Sequence, residues 1–337
     1  MKILKRISKI REISSVIFLV IIFLIVGMIN PMFLQTKNIL LILNGSIVFL
    51  LLAMGIAFVI INGEIDVSIG ATLGLSAAIS STILREGGSW QMVIISALAV
   101  GIVVGLLNGV GITVFKVPSI IMTLGTNGVV RGAIYVYTGG KWVENIPFDF
   151  KALSQATMKS GLSYFFFSAV IIMAILHILL TRTNRGSYFA AVGDNVSGAN
   201  LIGIPVTKYK VISFIICGSF AAIAGLVYVS RVGFVTPTAG NGYEMKAIAA
   251  CVLGGISLTG GVGTVIGACI GAIIMSSISR VLVFLRFSSD YDNTITGILL
   301  IIIVVVDSLI QKHMAEKARR ERLTARILLE EGGGNNE

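Results

Sequence analysis

The side chains of this 337-residue chain that could do chemistry are the few charged ones that lie among long apolar runs. If such runs cross a membrane, a charge within them is costly and marks a candidate for a pathway or a partner. Glu64 and Asp66 lie between two runs, Arg131 lies inside another, and Glu244 begins a further one. Polar and apolar residues alternate from 62 to 70, which is typical of a broken helix facing a polar cavity or the protein interior. A pathway role and a purely structural turn both fit this segment.

A stripe of polar residues follows Pro118. Thr123, Asn127 and Arg131 are four residues apart, so they share one face of a helix. Hydroxyl and amide groups suit a neutral polyhydroxylated solute, whereas a route for ions would need more carboxylates. Hydrogen bonding between helices explains the same stripe equally well.

Groups for catalysis or nucleotide hydrolysis do not occur together in the sequence. The segment Gly139-Gly140-Lys141 is followed by Trp142 and does not complete a phosphate-binding loop. His177 and His313 have no second histidine at ligand spacing, and the three cysteines lie among small apolar residues. We therefore expect no catalytic, cofactor or metal site, and no ATPase activity, in this chain.

Apolar side chains make up 55% of the chain and charged ones only 12%. Soluble domains have about a quarter of their residues charged, so lipid is the expected surrounding. A transmembrane helix needs about 20 mostly apolar residues. Ten segments meet this condition, and they cover residues 14–30, 39–61, 67–84, 91–113, 118–137, 163–181, 210–230, 244–261, 264–285 and 294–311. The sequence thus predicts an all-α fold, a polytopic bundle of about ten transmembrane helices.

Basic residues predict the orientation of this bundle, because Lys and Arg are retained on the cytoplasmic side. With both termini cytoplasmic, that side receives 16 of the 26 basic residues, including Lys116 and the loop residues Arg182, Arg185, Lys208 and Lys210. We expect a transmembrane domain over residues 1–312, with a cytoplasmic loop at about 182–209, and a basic cytoplasmic tail over 313–337.

The long loop has the signals of a short helix. Asp194 or Asn195 can cap a helix that runs through Asn200, and Gly203 and Pro205 can end it. A helix this short is marginal in water, so we expect it to rest on something, and the groove of a partner is an attractive explanation.

Glycines recur four residues apart, which lets helix backbones approach closely in lipid. The pairs are Gly70 and Gly74, Gly101 and Gly105, Gly105 and Gly109, Gly263 and Gly267, and Gly267 and Gly271. The segment 63–74 also resembles 254–267, and glycine-broken segments repeated in two halves of a transporter often mark its pathway.

Four segments occur in an order that matches a known family. They are DVSIG at 66–70, VPSIIMTLGT at 117–126, GDN at 193–195 with LIGI at 201–204, and AACVLGGISLTGG at 249–261. Together they resemble the permease subunits of bacterial ABC importers for ribose, other simple sugars and the furanose-like autoinducer signal. The resemblance is specific for the family and says little about the solute.

The resemblance implies a multi-pass subunit of the bacterial inner membrane that imports a small sugar or sugar-like solute. Its expected partners are a second permease subunit, identical or related, a cytoplasmic ABC ATPase dimer that uses ATP, and an extracytoplasmic solute-binding protein. By the same resemblance the ATPase-coupling residues are Gly193, Asp194, Asn195, Asn200, Leu201, Gly203 and Ile204. The residues expected at the translocation path are Asp66, Ser68, Thr123, Asn127, Arg131 and Glu244.

The alternative is a secondary transporter driven by an ion gradient. Such a transporter needs carboxylates within the membrane as coupling groups, and Asp66 with Glu244 could serve. A membrane-embedded enzyme is a weaker alternative, because convergent acid, base or metal groups are missing from the sequence.

Overall fold

The computed structural model describes residues 11–288, 290–302, 304–306, 308, 309 and 312. The predicted tail at 313–337, which includes His313, lies outside the described residues. Within the described part of the chain, helices form the regular structure and the only strand-like pairings are two isolated bridges. The all-α prediction is therefore confirmed.

The helices follow the apolar runs. They are α1 Arg11–Ile29, α2 Thr36–Gly45, α3 Ile47–Ile61, α4 Ile69–Arg85, α5 Trp90–Thr113, α6 Ser119–Thr138, α7 Phe148–Gln155, α8 Tyr164–Arg182, α9 Asn184–Asp194, α10 Val196–Leu201, α11 Val206–Val232, α12 Tyr243–Leu253, α13 Val265–Phe284 and α14 Tyr291–Val306. A single 3-10 turn, Pro31–Leu34, joins α1 to α2.

Four of these helices, α5, α8, α11 and α13, are long and apolar enough to cross a membrane. The pair α2 and α3 forms a fifth candidate span, bent by 43°. The helices α4 and α14, and the apolar part of α1 at Ile13–Ile29, are shorter. The bundle is thus polytopic, as predicted, and each of the ten predicted segments contains a helix.

Two predicted spans are interrupted. The segment 39–61 bends at Gly45 and Ser46, a small-residue pair of the kind that kinks helices. The segment 244–261 was predicted as one helix, but α12 ends at Leu253 and residues 254–264 form a loop. Several glycines of this loop have positive φ, a conformation that no helix contains: Gly255, Gly260, Gly261 and Gly263.

Helix α3 forms the centre of the bundle. All of its residues except Phe49 are buried, as expected for a helix that is apolar all round. It packs against α11, α13, α12 and α8. Its C-terminal end, at Ile61, is therefore held inside the protein rather than against lipid.

Glycines let the central helices touch. Gly101 and Gly105 of α5 lie against the backbone of α11 at Gly218 and Phe214. On the other side of the bundle, Gly254, Gly267 and Gly271 bring the end of α12 against α13. The predicted role of the four-residue glycine spacing in helix packing is confirmed at these contacts.

Replacing Gly105 by Val should therefore destabilise the bundle. A Cβ atom at Gly105 would lie 2.8 Å from the Cα of Ile215, and a backbone cannot move aside as a side chain can. We expect a loss of about 1–3 kcal/mol, seen as a lower melting temperature of the purified protein in detergent. Gly297→Val on α14 is the control, because nothing lies within 4 Å of a Cβ atom there. Equal melting temperatures for the two variants would contradict this account.

Candidate functional site

The chain leaves helical geometry between α3 and α4, over residues 62–68, which we call the break. Gly63 turns the backbone with φ 79°. The amide of Asn62 donates to the carbonyl oxygen of Tyr209 at 3.0 Å, and the carboxylate of Glu64 pairs with the ammonium group of Lys210. Tyr209 and Lys210 lie in the first turns of α11, so these contacts hold the break against the start of that helix.

Side chains of α6 satisfy the backbone of the break. The Ser119 hydroxyl accepts from the N–H of Ile65 at 3.3 Å, and the Thr123 hydroxyl accepts from the N–H of Val67 at 3.2 Å. The Asn127 amide donates to the carbonyl oxygen of Val67 at 3.0 Å. The predicted polar stripe therefore faces the protein interior, and in this structure it bonds to protein backbone.

A second chain of hydrogen bonds extends from the break to α5. The Asp66 carboxylate accepts from the N–H and the hydroxyl of Ser68, at 2.8 and 2.6 Å. Asn108 of α5 donates to the Ser68 hydroxyl at 2.8 Å and accepts from the Thr126 hydroxyl of α6 at 2.7 Å. Asp66, Ser68 and Asn108 are almost completely buried. These bonds join the break, α5 and α6 in one network.

Arg131 and Glu244 lie together at a different place, farther along α6. Arg131 donates through Nη1 to the carbonyl oxygen of Ala239 at 2.5 Å. Glu244 lies against Gly70 of α4. A Cβ atom built on Gly70 would collide with the Oε2 atom of Glu244. Arg131 Nη2 and Glu244 Oε2 are buried and have no hydrogen-bond partner within the described part of the chain. Both atoms therefore have hydrogen-bonding capacity that the described residues do not use.

The predicted coupling residues lie in α9, α10 and the turn that follows. Asn195, rather than Asp194, caps α10, because its side chain accepts from the N–H of Gly198 at 2.8 Å. Gly203 then turns the chain with φ 80°. The predicted short helix is confirmed, and Asn195 is the residue that caps it.

Apolar side chains at the end of α10 are exposed. Leu201 is 87% exposed and Ile202 is 74% exposed, while Asn200 beside them is also exposed. Ile204 is buried and anchors the turn that follows. Neighbouring exposed apolar residues on a polar segment are typical of a surface that binds a protein.

We call residues 193–204 the coupling segment, and its first residue packs near the break through glycines. Gly193 lies against Ile61, at the end of α3, and Gly261 donates its N–H to the same Ile61 carbonyl at 2.9 Å. A Cβ atom at Gly260 would lie 2.7 Å from the Cα of Gly63 and 2.9 Å from the Gly193 oxygen. We call Gly63, Gly193, Gly260 and Gly261 the glycine junction. The two segments that resemble each other in sequence meet there.

The structure thus divides the predicted path residues between two places. Asp66, Ser68, Thr123 and Asn127 belong to the network around the break, and Arg131 with Glu244 forms the second place. Asn108 and Ser119 were not among the predicted path residues. A polar amide within the apolar run 91–113 is the signal in the sequence that could have indicated Asn108. Among the residues that the structure describes, no cluster of His, Cys, Asp and Glu could hold a metal ion.

A family model described as the permease component of the branched-chain amino acid transport system matches residues 38–304. The chain belongs to this permease family. It is 37% identical over 319 residues to an autoinducer 2 import system permease protein, LsrC, of Escherichia coli O9:H4 (strain HS), covering 95% of this chain and 93% of that protein. The LsrC proteins of Shigella flexneri and Enterobacter sp. (strain 638) are 36% and 38% identical, covering 95% and 94% of this chain and 93% and 92% of theirs. No solved structure matches the chain.

The family match confirms the resemblance to ABC importer permeases and the multi-pass location in the bacterial inner membrane. The matched region includes the break, α6, the coupling segment and the two similar glycine-rich segments, 63–74 and 254–267. The candidate site therefore lies within the part of the permease that defines the family.

The hydrogen bond between Thr126 and Asn108 gives a direct test of the network. Thr126→Val keeps the shape of the side chain but leaves the Asn108 oxygen without its donor. We expect a loss of about 0.5–2 kcal/mol in the free energy of unfolding, measured in mixed detergent micelles. Thr138→Val is the matched control on α6, because the Thr138 hydroxyl bonds only to Ile134 of its own helix. If both variants unfold like the wild type, the network does not stabilise the permease.

Proposed function

We propose that this permease is the membrane subunit of an ATP-driven importer that carries a small sugar or sugar-like solute. The observation that carries the proposal is the coupling segment, which exposes Leu201 and Ile202 at one end and packs Gly193 against the break at the other. A cytoplasmic ABC ATPase is the proposed partner of the exposed end.

The glycine junction supports a mechanical role for this segment. Its contacts are between backbones, and closely packed backbones transmit a displacement instead of absorbing it. A movement of α10 would reach Ile61 at the end of α3 and Gly63 in the break. If the ATPase binds one arrangement of α10 more tightly in one nucleotide state, it shifts the permease between arrangements by that preference.

The remaining proposed partners are a second permease subunit, identical or related, and an extracytoplasmic protein that delivers the solute. The names of the LsrC relatives support an import system of several proteins, since each is called the permease protein of an autoinducer 2 import system. Both chain termini and the coupling segment are proposed to be cytoplasmic, because most basic residues then lie on that side.

A sugar-like solute fits the unused hydrogen-bonding capacity within the bundle. Arg131 Nη2 can donate and Glu244 Oε2 can accept, which suits the hydroxyl groups of a neutral solute. We propose that this place lies on the translocation path, and that the network around the break adjusts the position of α6 beside it.

The double variant Leu201→Ser with Ile202→Ser tests the coupling role. Both side chains are exposed, so the protein should insert and melt like the wild type. We expect uptake of solute to fall roughly tenfold or more in proteoliposomes that contain the ATPase subunits and binding protein of the system. Less ATPase should also copurify with the variant.

Phe148→Ser is the control for this experiment, because Phe148 is 71% exposed in α7, away from the coupling segment. Unchanged uptake in the Leu201 and Ile202 variant would overturn the coupling role. If the permease alone accumulated solute in vesicles that have an ion gradient and no ATP, the secondary-transporter alternative would replace this proposal.

Glu244→Gln tests the proposed path. The change keeps the size of the side chain but removes the negative charge that faces Arg131, so we expect a lower melting temperature as well. Uptake is therefore measured per mole of folded permease, and we expect this value to fall. Glu144→Gln, at an exposed carboxylate, should leave uptake unchanged. A Glu244 variant that transports normally would remove Glu244 from the path.

A further inference from the structure

A cavity of about 520 Å³ opens between α8, α9 and the start of α11. Its two halves differ in chemistry. One half is bordered by Thr183, Arg185 and Lys208, and the other by the apolar side chains of Leu179, Ile212 and Ile216. Neither the coupling role of α10 nor the solute path uses this cavity.

The two basic residues of the cavity have no partner among the residues that the structure describes. Within the ranges that the structure describes, neither Arg185 nor Lys208 forms an ion pair or a side-chain hydrogen bond, and both are exposed. Lys210, two residues after Lys208, contrasts with them because it is paired with Glu64. Two cations that face one cavity without a counter-charge favour an anionic ligand.

The position of the cavity favours the phosphate group of a phospholipid as the anion. Arg185 follows the end of α8, and Lys208 lies in the first turn of α11, so both lie just outside the predicted spans 163–181 and 210–230. Ile212 and Ile216 lie one and two turns farther into α11. Leu179 is 39% exposed on the surface of α8. Charge at the membrane surface and apolar lining at membrane depth match the two parts of a phospholipid.

We propose that this cavity binds one anionic phospholipid of the leaflet on the predicted cytoplasmic side. Its phosphate lies between Arg185 and Lys208, and an acyl chain runs along Leu179, Ile212 and Ile216. A lipid in this position contacts α9 and α11 at once and so stabilises α9, the helix that ends at the coupling residue Asp194. The proposal is independent of the transported solute and of the ATPase.

Titration of the delipidated full-length protein in detergent, followed by native mass spectrometry, tests the site. The probes are phosphatidylglycerol, phosphatidylcholine with the same acyl chains, and glycerol 3-phosphate as a headgroup without chains. We expect one saturable phosphatidylglycerol site, with phosphatidylcholine and glycerol 3-phosphate each binding roughly tenfold or more weakly. Equal affinity for phosphatidylcholine would overturn the charge selection, and equal affinity for glycerol 3-phosphate would make the site one for free phosphate esters.

Two variants separate the halves of the site. Arg185→Gln with Lys208→Gln should weaken phosphatidylglycerol binding roughly tenfold or more and abolish the preference over phosphatidylcholine. Ile212→Trp fills the apolar half and should weaken binding of both lipids while the two cations remain. Lys116→Gln, at an exposed basic residue on the same predicted side, should bind like the wild type. Wild-type affinity in the double variant and in the Ile212 variant would overturn the proposal.

Discussion

A buried backbone that leaves helical geometry must find its hydrogen-bond partners within the protein, and the rest of this structure depends on how the break does so. Its N–H and carbonyl groups bond to Ser119, Thr123 and Asn127, which lie on successive turns of α6. The break and α6 therefore form one unit. A shift of α6 along its axis would leave several buried polar groups without partners at the same time.

The same constraint explains why glycines gather at the other side of the break. Side chains at Gly193 and Gly260 would displace the backbone of a neighbour, and Gly63 has a positive φ of 79°. Backbone contact thus replaces side-chain packing between the break, the end of α9 and the loop 254–264. It also makes the coupling segment part of the packed interior at Gly193, although its tip at Leu201 is exposed.

The sequence predicts the elements of this permease better than the contacts between them. Hydropathy placed helices in every predicted span, and local capping chemistry predicted α10, because both depend on neighbouring residues. The prediction for 244–261 was wrong, since hydropathy does not register the positive φ of Gly255 and Gly260. Asn108 was missed for another reason: its importance comes from Ser68 and Thr126, and their proximity depends on the fold.

The two explanations of the polar stripe concern different parts of it: bonding within the protein is observed at Thr123 and Asn127, and the solute path is our proposal for Arg131. Thr123 is fully buried and its hydroxyl bonds to the protein, so this residue holds α6 against the break. Arg131, two turns farther on, keeps a buried Nη2 without a partner in the described chain, and Glu244 nearby keeps an unpaired oxygen. Helix α6 is thus fixed at one end by the break and carries unused polar groups beyond it. In the transport cycle that we propose, movement at the glycine junction changes the position of Arg131 through the hydrogen bonds of Thr123 and Asn127.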